Sequence, residues 1–351
     1  YPEAPLSGLM DFSASGSGTF DVPRYDVRIR IRALFVRAEG IGEVTGRITV
    51  RGKVLTLETE AASPRLSVSG AGRIALTPQA DAELSFRFTE SSLDPYVRTF
   101  QPALSPFTTA VASGTIRVVG ELRDIDHLLV DGTVEQLEMR LFDYKLQNAG
   151  PIRLALDQHT ARVDRMRLVG EDTQLDLSGA IGLHDQRISL QARGDANLGI
   201  LQGFFRDIRS AGRAELVGEI QGPLRAPVFS GSAVISNGRL RHFSLPHSLE
   251  AVNGRVTFDA GGIRLDGVTA RLGGGDGRGG GRIGLKGYTP GELDVTATGE
   301  SMRLRYPEGI RSIVNADLSL RGGFRSPTLG GSVQVLSAVW SRSFDTGGEL
   351  F

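Results

Sequence analysis

In residues 66–76 the residues Leu66, Val68, Gly70, Gly72, Ile74 and Leu76 alternate with Ser67, Ser69, Ala71, Arg73 and Ala75. A period of two belongs to an extended strand, because successive side chains leave a strand on opposite sides. The same alternation runs through Leu84, Phe86 and Phe88, through Leu175, Leu177, Gly179, Ile181 and Leu183, and through Ile188, Leu190 and Ala192. It returns at Val256 and Phe258 and at Leu293, Val295 and Ala297, with mostly Ser, Thr, Arg, Asp and Gln on the other parity. Such a chain is committed to sheet, and the sheet has one apolar and one polar face.

Punctuation is frequent. Asn237-Gly238, Asn253-Gly254, Ala260-Gly261-Gly262 and Asp266-Gly267 read as turns, since these residues adopt positive φ at little cost. Many short strands joined by tight turns make an antiparallel meander. Strands of about 6–9 residues, about eight to each hundred residues, are expected from this spacing. Helical patterns are few. Residues 92–107, 196–210 and 302–313 are candidates, and the second is the clearest, with Leu198, Leu201, Phe204, Phe205 and Ile208 at helical spacing. Prolines in the other two allow only short helices.

The stretch Gly222-Pro223-Leu224-Arg225-Ala226-Pro227-Val228-Phe229-Ser230-Gly231 carries no chemistry, yet it recurs. Pro327-Thr328-Leu329-Gly330-Gly331 repeats Pro227-Val228-Phe229-Ser230-Gly231 at a distance of 100 residues. Leu128-Leu129-Val130-Asp131-Gly132 fills the slot 99 residues before Pro227, and Pro23-Arg24-Tyr25-Asp26-Val27 fits it loosely. Ile74-Ala75-Leu76, Ile181-Gly182-Leu183 and Ile283-Gly284-Leu285 form a second beat, and Tyr1-Pro2-Glu3 returns as Tyr306-Pro307-Glu308. Repetition at a fixed period is the mark of an array in which each unit contacts its neighbours. The expected units are 1–109, 110–210 and 211–311, the first with an incomplete start and each with a short helix near its end. The start of a fourth, truncated unit follows at 312–351.

Composition removes several alternatives. The chain has 351 residues, 40 basic and 40 acidic, so net charge points to no nucleic-acid partner. It has no cysteine, which rules out disulfides and thiolate metal sites. No apolar run reaches the roughly 18 residues of a spanning helix. The chain starts at Tyr1 and reads as a fragment of a longer protein whose targeting segment lies elsewhere. The stretch Gly273–Gly281 lacks the Gly-Lys-Ser/Thr ending of a phosphate loop and reads as a turn or a glycine-softened strand. His242 and His247 are separated by Pro246 and read as loop residues, and Trp340 with Val339 as packing or edge residues. No paired carboxylates stand out. No catalytic residue, metal site or cofactor is expected.

The apolar face needs a cover, since soluble proteins rarely expose patches above a few hundred Å². A second sheet, closure into a barrel, or a groove filled by something apolar would each serve. Unbroken alternation across the repeat boundaries favours a curled, continuous groove. Its lining is expected to include Leu66, Val68, Ile74, Leu84, Phe86, Leu175, Leu177, Ile181, Ile188, Leu190, Val256, Phe258, Ile263, Leu265, Leu293 and Val295.

The chain resembles the AsmA-like superfamily of bridge-like lipid transfer proteins and, within it, the TamB family with its domain of unknown function 490. The resemblance is carried by Leu216-Val217-Gly218-Glu219-Ile220-Gln221-Gly222, then Pro227-Val228-Phe229-Ser230-Gly231-Ser232-Ala233-Val234-Ile235 and Asn237-Gly238. Val252-Asn253-Gly254-Arg255-Val256-Thr257-Phe258, Gly281-Arg282-Ile283-Gly284-Leu285 and Leu318-Ser319-Leu320-Arg321-Gly322 continue it. It is good over about 210–340 and departs most in the first unit, which lacks the glycine after Pro23. The resemblance implies an all-β fold with a few short helices, an elongated taco-like hydrophobic groove of antiparallel strands. It implies a non-enzymatic periplasmic protein, held in the inner membrane by an N-terminal helix and reaching the outer membrane. Its cargo would be phospholipid and its partner an outer-membrane Omp85-type barrel (TamA-like). Two other readings stand beside it: an assembly chaperone for outer-membrane β-barrel proteins, and a structural or adhesive β-repeat rod.

Overall fold

The computed structural model describes residues 6–19, 21–36, 39–93, 107–203, 205, 207–243, 246–287, 289–305 and 309–340. Among them are twenty-one strands and two 3-10 helices. The chain divides into two compact units, Tyr1–Leu190 and Gln191–Phe351.

The first unit holds β1 (Leu6–Gly18), β2 (Pro23–Val36), β3 (Glu39–Arg51), β4 (Val54–Ser63), β5 (Leu66–Ala75), β6 (Asp81–Ser92) and β7 (Thr108–Glu121). The 3-10 helix η1 (Ile125–His127) leads into β8 (Leu128–Leu141), β9 (Tyr144–Asn148), β10 (Ile152–Asp157), β11 (Thr160–Gly170) and β12 (Thr173–Gly182). Each pairs antiparallel with the next along the chain, except that β9 and β10 lie end to end between β8 and β11. β13 (Arg187–Asn197) holds the division between the units.

In the second unit the 3-10 helix η2 (Leu198–Gly203) precedes β14 (Ile208–Pro223), β15 (Val228–His242), β16 (Leu249–Asp259) and β17 (Gly262–Leu272). β18 (Gly275–Lys286), β19 (Thr289–Leu304), β20 (Ile310–Gly323) and β21 (Thr328–Trp340) complete an antiparallel meander in chain order. Antiparallel all-β architecture is therefore present, as the alternation implies.

The motif around Pro227 is a hairpin turn. It joins β14 to β15, with Gln221 paired to Val228. The related slots join β7 to β8, where Gly120 pairs with Leu128, and β20 to β21, where Arg321 pairs with Thr328. These hairpins begin at Thr108, Ile208 and Ile310. Each proline lies just before its strand or opens it, where no ladder donor is needed. The motif glycine is fixed by the backbone. Gly231 and Gly331 have φ of 129° and 124°, and a Cβ there would lie 2.1 Å from the Val217 carbonyl oxygen and 2.0 Å from that of Asp317.

Direct cross-strand partners share a face. In the first unit one row of partners runs Phe12, Ile29, Gly46, Thr59, Gly70, Phe86, Ile116, Gly132, Leu154, Val163, Gly179. Large side chains lie across the glycines beside them: a Cβ on Gly70 would meet the Phe86 ring at 2.4 Å. In the second unit a row runs Leu216, Ala233, Val256, Leu265, Gly281, Val295, Leu320, Leu329.

The opposite face carries ion pairs between strands: Arg30 with Glu43 at 2.8 Å, Arg117 with Glu83 at 2.7 Å, and Arg213 with Asp195 at 2.9 Å. Exposed pairs of this kind add little stability, typically about 0.2–1 kcal/mol. They keep the polar face neutral and soluble. Stability comes from the buried apolar side, where Leu84, Leu146, Ile152, Leu168, Leu293 and Val314 are among the core residues.

Three expectations are corrected. Strands run to 16 residues, and six rather than eight lie between one repeated hairpin and the next in β14–β19. The cause is that Asn237-Gly238, Asn253-Gly254 and Asp266-Gly267 lie inside β15, β16 and β17. They sit at or beside bulges between Ile235 and Gly238, between Glu250 and Arg255, and between Leu265 and Val268. A bulge and a turn both use residues with positive φ, so the two look alike in sequence. Only Ala260-Gly261 of that group forms a turn between strands. Second, the helix expected over 196–210 is the six-residue 3-10 helix η2, because Asn197 ends β13 and Ile208 starts β14. Third, the described residues of 302–313 are strand or turn rather than helix: Met302–Leu304 close β19 and Ile310–Ile313 open β20. The first helix candidate falls mainly on 94–106, outside the described residues.

Candidate functional site

The sixteen expected lining residues lie on the apolar parity of their strands, and none is exposed. Leu84, Leu175, Ile188 and Leu293 are buried, and the remaining twelve are half-buried. In the first unit Val68 pairs with Phe88, Ile74 with Ala82, and Leu84 with Gly72 and Val118. Leu175 and Leu177 pair with Leu168 and Met166, and Ile181 with Ala161. Leu190 packs where a Cβ on Gly179 would lie, 2.6 Å from its methyl carbon. In the second unit Phe258 pairs with Ile263, Val256 with Leu265, and Val295 with Gly281 and Leu320. Leu66 pairs with Ser63 at the end of its hairpin, and Phe86 lies over Gly70.

An apolar trough of about 320 Å³ lies on this face of the second unit. Its walls are Leu249, Val268, Ala270, Leu272, Met302, Leu304, Val314, Leu318 and Val333, and its floor includes Gly277, Gly279, Ala297, Gly299 and Ala316. None of the six lining residues expected from this unit touches it. They occupy the neighbouring rows, toward the β14–β15 turn. The trough sits farther along the strands, where the ladder is bent.

The bend comes from bulges. Register shifts fall between Glu250 and Asn253 in β16, Leu265 and Val268 in β17, Gly299 and Met302 in β19, and Ile313 and Val314 in β20. A bulge adds a residue to one strand, bends it and increases its twist. Residues on both sides of these shifts line the trough, so the cavity lies in the angle of the fold. The glycine-rich stretch 273–281 finds its role here. Gly275, Gly277, Gly279 and Gly281 share the apolar parity of β18 and supply no side chain to fill the space.

At four places beside bulges a side chain on the next strand accepts a backbone N–H. The Asn237 amide donates to Asn253 Oδ1 at 2.9 Å, and the Ser301 amide to Asn315 Oδ1 at 2.8 Å. In the first unit the Glu90 amide donates to Ser113 Oγ at 2.9 Å, and the Leu137 amide to Asn148 Oδ1 at 2.7 Å. Asn237, Ser301 and Glu90 have φ of 50°, 53° and 43°. Sequence reading missed these acceptors. Their signal was an Asn or Ser within a strand pattern, one strand from a break in alternation.

Arg278 is the one charged residue of the trough lining, and the other electrostatic contacts described below lie elsewhere. Asp26 is held below the usual carboxylate range by its hydrogen bond from Arg47, and Asp176 by that from Arg167. Burial pushes the Tyr144 phenol up, and its hydroxyl donates to the Glu171 carbonyl at 2.7 Å. His247 Nε2 accepts the Arg305 amide proton at 2.8 Å. Among the described residues no group of His, Asp and Glu is arranged to hold a metal ion, and no helix is long and apolar enough to cross a membrane.

A repeated antiparallel meander with one apolar face and a glycine-floored trough defines an all-β, groove-bearing class of protein. Residues 266–350 match the family model of the TamB C-terminal domain, which supports assigning the chain to the TamB family. That segment includes most of the trough. No curated protein and no solved structure matches the chain.

Proposed function

We propose that the protein is part of a periplasmic bridge between the inner and outer membranes that conducts phospholipid along its apolar β-face. The TamB match supports a role in outer-membrane assembly or lipid transport at the level of the family and an envelope-associated protein. The observation that carries the finer reading is the trough lined by Leu249, Leu272, Leu304 and Leu318, with almost no polar group. Each methylene moved from water onto such a surface gains about 0.8 kcal/mol. Because apolar rows repeat strand after strand, an acyl chain meets similar affinity at successive positions. Its phosphate headgroup stays in water at the edge.

In this reading the building units are those of the hundred-residue period, 1–109, 110–210, 211–311 and 312–351. The bridge is anchored by an N-terminal helix in the inner membrane and meets an Omp85-type, TamA-like barrel at the outer membrane. A specific observation favours a second activity, as an assembly factor for outer-membrane β-strands. β21 pairs only with β20 among the described residues and carries no charged side chain, and an open strand edge can accept an incoming strand. A structural rod without cargo would leave the trough without a role.

The test is native mass spectrometry of the purified protein with Val295→Asp and Ser189→Arg variants. Phospholipid bound to the parent and to Ser189→Arg, and lost from Val295→Asp, is the expected result. Phospholipid that survives Val295→Asp but not Ser189→Arg overturns the reading, as does a parent protein that carries none.

A further inference from the structure

Within the segment of clearest helical pattern, Leu198–Gly203 form η2 and stand outside the ladder. η2 lies on the apolar face of the second unit. Leu198 reaches within 3.1 Å of where a Cβ on Gly238 would stand, beside Ile235 at 3.1 Å and Val252 at 3.2 Å. Gly238 is buried and pairs with Val252, and Ile235 pairs with Gly254. A Cβ on Gly254 would in turn touch Val268, which lines the trough. Leu198 therefore occupies the lane that the trough follows, a strand or two beyond the trough's wall at Leu249.

The attachment of η2 is polar and local. Ser210 Oγ donates to the Leu198 carbonyl at 2.7 Å, and Gln202 Nε2 donates to the Ser210 carbonyl at 3.0 Å. Asn197 Oδ1 accepts the Gly199 amide proton at 2.8 Å. Gln202 is 6% exposed, yet its Oε1 is buried without a hydrogen-bond partner among the described residues. A buried carbonyl oxygen with no donor costs free energy that is recovered when the group reaches water or another donor. The seated position of η2 thus carries a built-in penalty.

We propose that η2 is a displaceable plug that closes the apolar lane at β14–β15, and that a phospholipid acyl chain passes beyond the trough only when η2 lifts away. This rests on the reading of the trough as a lipid path. Leu198 and Ile235 supply the apolar contact that holds the plug, and an acyl chain competes for the same surface. Gln202 biases η2 toward release. The bond from Ser210 sets how firmly it is seated.

The chain has no cysteine, so an introduced pair is unique. The experiment uses the full chain with Leu198→Cys and Gly238→Cys, joined by a short bismaleimide or left reduced. The probe is a phosphatidylethanolamine carrying a photoreactive acyl chain, in vesicles of phosphatidylethanolamine and phosphatidylglycerol, with labelled residues mapped by mass spectrometry. Reduced protein is expected to be labelled at trough residues such as Leu272 and beyond the plug at Ala214. The joined protein is expected to be labelled at the trough alone. Ser210→Ala, which loosens η2, is expected to raise labelling at Ala214 several-fold and to speed amide exchange over 198–203. Equal labelling of Ala214 in joined and reduced protein overturns the plug while leaving the lipid path standing. Absence of label at the trough in every form overturns the lipid path and the plug with it.

Discussion

The side-chain oxygen of Asn253 on β16 accepts the amide proton of Asn237 on β15, where the ladder between those strands shifts register. The same geometry joins Asn315 on β20 to the Ser301 amide on β19, four strands further along the meander. It shows how a sheet can bend without abandoning a donor. Asn253→Ala is expected to lower stability by about 1 kcal/mol, the net worth of one hydrogen bond, read as a drop in the urea midpoint. Asn253→Asp keeps the acceptor and should retain most of the stability. Equal losses in both variants would refute the capping role.

The motif glycines separate sharply from a glycine nearby. Gly231→Ala and Gly331→Ala place a Cβ against a carbonyl at positive φ, and each should cost more than about 1 kcal/mol. Gly218 is in β14, and the closest atom to its would-be Cβ is at 3.7 Å. Gly218→Ala should be neutral or slightly stabilising, since alanine loses less backbone freedom. Thermal melts of the three variants decide the matter.

The trough floor can be raised without disturbing the ladder. A Cβ on Gly277 would meet only the Thr298 and Ala270 carbonyls, at 3.4 and 3.5 Å, which is ordinary contact. Gly277→Leu should leave circular dichroism and the melting temperature nearly unchanged and reduce phospholipid bound per chain. A variant that binds as much as the parent would show that the trough is not the cargo path.

His127 and Asp124 form an exposed ion pair at 3.0 Å. The hydrogen bond that His127 Nδ1 donates to Asp124 Oδ2 raises the His127 pKa, and Asp124 is held down first by the Asp126 amide and then by His127. For His127 the folded pKa exceeds the unfolded one, so its contribution is full below the unfolded value and fades as pH rises through the folded value. For Asp124 the sign is opposite, and its contribution fades as pH falls through its depressed value. Both groups are exposed, so the effect is small and screened by salt. In an NMR titration the His127 midpoint should fall toward the ordinary histidine value in Asp124→Asn. An unchanged midpoint would remove Asp124 as the cause.

Much of the fold was legible because alternation is local. Leu84, Phe86 and Val118 declare a strand and its buried face without any knowledge of partners. The hairpin period was legible because Gly231 and Gly331 answer a backbone demand that recurs. What escaped was the position of the bends. Asn237-Gly238 satisfies a bulge as well as it satisfies a turn, and only the partner strand distinguishes them. For that reason the trough wall, Val268, Leu272 and Met302, was hidden behind residues of the flatter rows such as Val256 and Phe258. Met302 opens the helix candidate at 302–313, whereas it lies near the end of a strand and pairs with Val314.

The recurring hairpins make the sheet countable. With β7–β8, β14–β15 and β20–β21 starting at Thr108, Ile208 and Ile310, the same hairpin returns after 100 and then 102 residues. Duplicating or deleting one whole set would keep every hairpin's glycine and proline in place, while inserting a single residue within a strand would turn its remaining side chains to the other face unless a bulge absorbed it. The hairpin set is therefore the step in which such a sheet can gain or lose strands.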